Sequence, residues 1–168
     1  MANNLIPDEL KESTFTIDYQ AYYDKGYRAI VFDIDNTLAE HDAPITEDGR
    51  AVELIKKLKK IGYKMMLLSN NDADRVAPFA KALGLHFVAK GGKPLARGYN
   101  EACKRMGELP EHTLAIGDQI FTDVWGGNRA GMHTIYVERI ASHEEIQIHI
   151  KRILEKPILF IYRKRHPR

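Results

Sequence analysis

VFDIDNTLAEHD, residues 31–42, drives an apolar run directly into two carboxylates one residue apart, Asp33 and Asp35, followed by Asn36 and Thr37. The run begins at RAIVFDI (28–34) and reads as a strand, so the carboxylates fall at its end. Comparable runs recur at YKMMLLS (63–69), LHFVA (85–89), TLAIGD (113–118) and HTIYVE (133–138). Helical patterns lie between them. TEDGRAVELIKKLKKIG carries Val52, Ile55 and Leu58 on one face, with Thr46 as N-cap and Gly62 as a stop. DADRVAPFAKALG ends at Gly84, while Pro78 leaves its first half open; PLARGYNEACKRMG puts Pro94 at the first helical position and stops at Gly107. Near-continuous apolar strands alternating with helices predict a three-layer α/β fold, a doubly wound, mostly parallel sheet covered on both faces.

The composition fits that architecture. With 168 residues, 44% hydrophobic and 29% charged, one domain spanning 1–168 is expected, with a core burying roughly 70% of the unfolded surface. Residues 1–27 read as an aromatic-rich packed lead-in with a short helix near 19–25, and 157–168 as an apolar and basic tail. The single cysteine, Cys103, rules out an intrachain disulfide. The start MANNLIPDELKES lacks a basic-then-apolar leader, and no apolar run approaches the ~20 residues of a membrane span. A soluble, cytoplasmic protein is expected. The net charge of +2 is close to balance and selects no partner.

Ligands of open α/β sheets bind beyond the carboxyl ends of the strands. Asp33, Asp35 and Thr37 therefore stand where chemistry is expected. Ser69 and Asn70 follow the second run, Lys93 the third and Asp118 the fourth, all reaching the same edge. D-x-D-N-T alone is often no more than a turn. A calcium loop is excluded, because its sixth position is Leu38 rather than Gly and its twelfth Pro44 rather than Glu.

Taken together, DIDNTL, LLSN, the Lys-Pro of GGKP, and GDQIFTD occur in an order that resembles the haloacid dehalogenase superfamily. Their spacing looks like a small capless branch, the YqeG-like phosphatases, which is similar to the phosphatidylglycerophosphate phosphatases. The resemblance implies a Rossmann-like sheet without a cap domain and a Mg²⁺-dependent phosphomonoester hydrolase working through an aspartyl-phosphate. It makes Asp33 the nucleophile and Asp35 the general acid and base. Asp118 would complete a Mg²⁺ site with the Asp33 side chain and the Asp35 backbone carbonyl, with Asp123 supporting the metal directly or through its ligands. Ser69 and Lys93 would hold the phosphate, Lys93 also pairing with Asp33, while Thr37, Asn70 and Asn36 would keep the geometry of the phosphate loop. An acid at position 35 favours hydrolysis of the adduct, hence a phosphatase over a phosphomutase.

The gap 38–63 holds a loop and one helix, and 71–93 one helix and one strand, so neither has room for a cap. An open site suits a bulky phosphorylated substrate: a protein, a nucleic-acid end or a lipid head group, with phosphatidylglycerophosphate the specific expectation. LAEHDAPI could form a small flap, in which His41 reads first as a solvated loop residue and second as a substrate contact. In HEEIQIHIKRILEK, Ile146, Ile150, Ile153 and Leu154 have helical spacing, although Ile146, Ile148 and Ile150 also alternate like a strand. Beyond it, KPILFIY and RKRHPR either pack on the domain with a solvated basic end or rest on an anionic membrane; RNA phosphates are a further outlet for the charge, and no specific nucleic acid is expected. Cys103, on one helix face with Leu95, Tyr99 and Met106, reads as a buried thiol. Gly126 and Gly127 read as close packing and Gly131 as a helix stop, and the seven histidines show no metal-ligand spacing. Two other classes stay open: a phosphorylated receiver-type signalling module, and a scaffold that keeps this fold for binding.

Overall fold

The computed structural model describes residues 4–40, 49–140 and 146–166. Six parallel strands form one sheet: β1 (Glu9–Lys11), β2 (Ala29–Phe32), β3 (Lys64–Leu68), β4 (His86–Val88), β5 (Thr113–Gly117) and β6 (His133–Val137), in the order β1-β6-β5-β2-β3-β4. The helices are α1 (Tyr19–Asp24), α2 (Gly49–Ile61), α3 (Ala73–Leu83), α4 (Ala96–Met106), α5 (Trp125–Ala130) and α6 (Ile146–Arg165). Every parallel strand needs a crossover, and the intervening helices supply it.

Strand alternation sorts the core into two layers. Ile30, Phe32, Met65, Leu67, Leu114 and Ile116 point to one face and meet Tyr22, Leu54, Ile55, Leu58, Val76 and Ala80 of α1, α2 and α3. Val31, Met66, Leu68 and Ala115 point to the other and meet Tyr99, Ala102 and Cys103 of α4. β2 lies in the middle with all four residues buried, as a strand covered on both faces requires. The turn after it carries the acidic pair to the sheet edge. No domain is inserted between β3 and β4, nor, among the described residues, between β2 and α2.

Five strands and the short first helix stand where the sequence places them. The sixth strand, β1, is not among those expected. It is three residues long, with Glu9 and Lys11 paired at 2.9 Å, and it joins the free edge of β6 in the register Glu9↔Ile135. Charged, short edge strands carry no alternation to read. α3 runs through Pro78 at the loss of one backbone hydrogen bond. Pro94 is not the first helical residue: it follows a cis bond from Lys93 and precedes the N-cap Leu95, so α4 begins at Ala96. Leu95 is exposed rather than on the buried face with Tyr99 and Cys103. Gly84, Gly107 and Gly131 end their helices in the left-handed conformation. Gly126 and Gly127 pack against Tyr99 and Thr134, where a β-carbon would not fit. Thr46, His41 and most of the LAEHDAPI loop lie outside the described residues.

α6 runs from Ile146 through Pro157 to Arg165, so the apolar segment and the first basic residues after it lie in one helix. Ile158 and Leu159 pack beside Ile120, Val124 and Tyr136.

Candidate active site

The carboxyl edge of β5-β2-β3 collects the polar residues singled out above. Asp33 directly follows β2, and its amide still extends the ladder by donating to the Ile116 carbonyl at 3.0 Å. Asp118 follows β5 and is fully buried. A single turn of π-helix, Ile120–Val124, then returns Asp123 to the same point. Oxygens of Asp33, Asp118 and Asp123 lie within 4.8 Å of one another.

Gly117 makes this convergence sterically feasible. A β-carbon there would sit 2.3 Å from the Asp123 carboxyl carbon. Gly117→Ala is therefore expected to displace Asp123 and to cost about 1–3 kcal/mol, the usual range for overpacking. For a chain of this size that is roughly 2–12 °C in thermal midpoint; an unchanged midpoint would show that Asp123 can move freely.

Into the carboxylates projects one cation. The Lys93 ammonium donates to Asp33 Oδ1 at 2.5 Å and to Asp123 Oδ1 at 2.7 Å, and all three side chains are nearly buried. Burial alone would lower the lysine's proton affinity, but Asp123 and Asp33 outweigh it and hold Lys93 well above its usual range, fully charged. Burial pushes the Asp33 carboxyl well up, with Lys93 pulling the other way and Asp123 and Asp118 adding to the rise. One ammonium is thus too little for three carboxylates. The cluster carries a net charge of −2 when all are ionised, the charge a divalent cation would balance, and its hard oxygens suit such an ion.

The loops around the cluster are tightly determined. Asn70 grips the Lys93 backbone with both ends of its amide, donating to the Lys93 carbonyl at 3.1 Å and accepting from its N–H at 2.7 Å. Ser69 Oγ accepts the Asn71 N–H at 3.1 Å, which leaves its own proton to give. Asn36 adopts φ +59°, a conformation Asn tolerates better than most residues, and its N–H reaches the Ala39 carbonyl at 2.6 Å. Among the described residues, Asn36 Oδ1 and Thr37 Oγ1 are buried without a protein hydrogen-bond partner. Gln119 donates its N–H to Asp123 Oδ2 at 3.1 Å, and the Tyr99 hydroxyl donates to the Thr122 and Asp123 carbonyls, both at 3.2 Å.

Asp35 stands slightly apart, in contact with two residues that the motifs did not single out. Asn71 Nδ2 lies 3.3 Å from Asp35 Oδ2, and Arg75 Nη2 lies 3.4 Å from Oδ1. The second Asn of SNN was a visible signal for the first. Arg75, on the outer part of α3, gave none.

Residues 42–131 match the haloacid dehalogenase-like hydrolase family. The chain is 37% identical over 154 residues to "Probable phosphatase YqeG" of Bacillus subtilis (strain 168), covering 92% of this chain and 89% of that one. It is 28% identical over 137 residues to "Phosphatidylglycerophosphate phosphatase 1, chloroplastic" of Chlamydomonas reinhardtii, covering 77% of this chain. It spans only about half of that algal relative's length, 51%. Among solved structures, a HAD family hydrolase from Deinococcus radiodurans R1 with bound phosphate and sodium shares the fold, with a TM-score of 0.54 at 17% identity over 76% of this chain and 88% of that one.

Proposed function

The chain belongs to the haloacid dehalogenase-like hydrolase family, and from that premise we propose that it hydrolyses phosphate monoesters through a transient phosphate adduct on Asp33. The observation that carries this reading is the Lys93 ammonium held between Asp33 and Asp123 at the end of the central strand. A carboxylate attacks an anionic phosphate only where positive charge offsets the repulsion. Asp33, Asp118 and Asp123 offer clustered hard oxygens, and together with the Asp35 backbone carbonyl they would hold Mg²⁺, which when bound supplies that offsetting charge.

The remaining steps belong to the chain's own groups. An Asp33 oxygen attacks phosphorus and the bond to the ester oxygen breaks, while Asp35 gives its proton to the departing alkoxide. Asp35 then takes a proton from water, whose oxygen attacks phosphorus and frees Asp33 and orthophosphate. Lys93 stays paired to Asp33 and neutralises the phosphoryl oxygens, with the Ser69 hydroxyl and the Thr37 turn as further donors. Asn70 acts through Lys93, whose backbone it fixes. Asn71 and Arg75 orient the Asp35 carboxyl.

For the substrate, phosphatidylglycerophosphate is the favoured reading. Its support is the likeness to the algal protein of that name and the uncapped site, which leaves room for a head group held elsewhere. A soluble phosphomonoester is the alternative. Stripping the protein with EDTA is expected to lower turnover of 4-nitrophenyl phosphate at least about a hundredfold, and Mg²⁺ to restore it. Full activity in chelator would exclude the metal. Release of orthophosphate from phosphatidylglycerophosphate in detergent micelles, set beside sugar phosphates, nucleotides and phosphopeptides, decides the substrate. No release from the lipid removes it.

A further inference from the structure

Helix α6 has apolar side chains on two opposite sides. The inner side carries Glu155, Ile158, Leu159 and Tyr162, at the i, i+3, i+4, i+7 spacing of one helix face. Buried Glu155 accepts the Ile120 N–H at 2.7 Å, and the Tyr162 hydroxyl accepts the Leu10 N–H at 3.2 Å. Packing on the body accounts for this stripe. It does not account for the outer one, where Ile153, Leu154, Phe160 and Ile161 are 51%, 58%, 68% and 43% exposed. Only two other large apolar residues, Leu95 and Leu109, are that exposed among the described residues, so the outer stripe of α6 is a concentration, not scatter. Ile153, Pro157, Phe160 and Ile161 line an open groove of about 840 Å³ together with Lys156 and Arg163.

The charge around this stripe has one sign. Lys156, Arg163, Lys164 and Arg165 are exposed, Arg163 being partly offset by Glu138 at 3.5 Å. Glu155, the only acid in α6, faces inward. Phe and Ile flanked by cations whose aliphatic stems cover apolar surface are the makings of an interfacial helix on anionic lipid. A second copy of the chain fits this face less well, because a two-fold contact would set these cations against their own copies. No helix among the described residues is long and apolar enough to cross a membrane.

We propose that the outer face of α6 docks the protein on an anionic phospholipid surface, with Phe160 and Ile161 entering the interface and Lys156, Lys164 and Arg165 meeting lipid phosphates. The docking takes its purpose from the reading of the substrate as a lipid-borne phosphate and deepens it. Glu155 ties the same helix to the turn that follows Asp118, so a docked α6 holds the acidic cluster in a set relation to the bilayer.

Co-sedimentation of the full chain tests this, with vesicles of phosphatidylcholine containing phosphatidylglycerol set against phosphatidylcholine alone. Partitioning is expected to favour the anionic vesicles at least about tenfold and to fall with salt, since each cation near such a surface contributes roughly fivefold. Phe160→Glu is expected to lower it at least about tenfold by removing buried apolar area, while turnover of 4-nitrophenyl phosphate stays unchanged. Equal partitioning onto both vesicles, or undiminished binding of Phe160→Glu, overturns the proposal. So does a solution dimer that Phe160→Glu dissociates, which would assign the face to a second copy. Vesicle binding without hydrolysis of the lipid phosphate keeps the docking surface and removes the substrate. Hydrolysis in detergent micelles without vesicle binding does the reverse.

Discussion

Asp33→Asn is expected to lower turnover of an aryl phosphate at least about a thousandfold, the scale seen when a nucleophile is removed, while the protein stays folded. An amide has no anionic oxygen to offer phosphorus, yet it fills the same space at the end of β2. Its effect should fall on kcat, because Lys93 and Ser69 remain to bind the phosphate. The metal-free variant is expected to gain stability. Asp33 has its proton affinity raised in the folded state, by burial and by Asp123 and Asp118. The contribution of such a group is fully present below its unfolded pKa, about 3.9, and is lost as pH rises from there through its raised folded pKa. At neutral pH the wild type therefore bears a cost that Asn removes. Activity within tenfold of wild type would reject Asp33 as the phosphate acceptor. A phosphorylated wild-type protein persisting for minutes or longer would instead favour a receiver-type module.

Lys93→Met should lose both activity and stability. Methionine approximates the length of the lysine stem but removes the charge, leaving three buried or nearly buried carboxylates with no ammonium among them. Breaking a buried ion pair by deleting one partner costs about 3–5 kcal/mol, chiefly because the other charge stays buried. The loss is expected in metal-free protein by chemical denaturation, and Mg²⁺ should recover part of it. Turnover should not return with the metal, since a fixed donor to the phosphoryl oxygens is gone; loss of one such donor costs about a hundred- to a thousandfold. Adding Asp123→Asn should restore stability in the metal-free double variant, because the charge removed then matches the charge lost. Wild-type stability in Lys93→Met alone would show that the bridge contributes nothing to the fold.

How much of this was legible in the chain follows from the range of each interaction. The strands 29–32, 64–68 and 113–117 announce themselves as apolar runs, because a strand buried on both faces needs apolar side chains along most of its length. A topological rule then places Asp33, Ser69 and Asp118 at one edge without knowledge of any contact. The order of the acidic and lysine motifs carried the family for the same reason, being a property of the chain rather than of its packing. β1 gave no signal, since ELK becomes a strand only because β6 presents a free edge to it. The contacts of Asn71 and Arg75 with Asp35 join residues 36 and 40 positions apart, and the lysine bridge spans 60 and 30. Such partners are chosen by where loops land after the sheet has formed. The same holds for α6: its composition shows an apolar helix with a basic end, but only packing against Ile120, Val124 and Tyr136 decides which stripe is covered. Local composition determines which elements form and which groups they carry to their ends. Pairing across tens of residues depends on the sheet that brings distant ends together, and that became visible only in three dimensions.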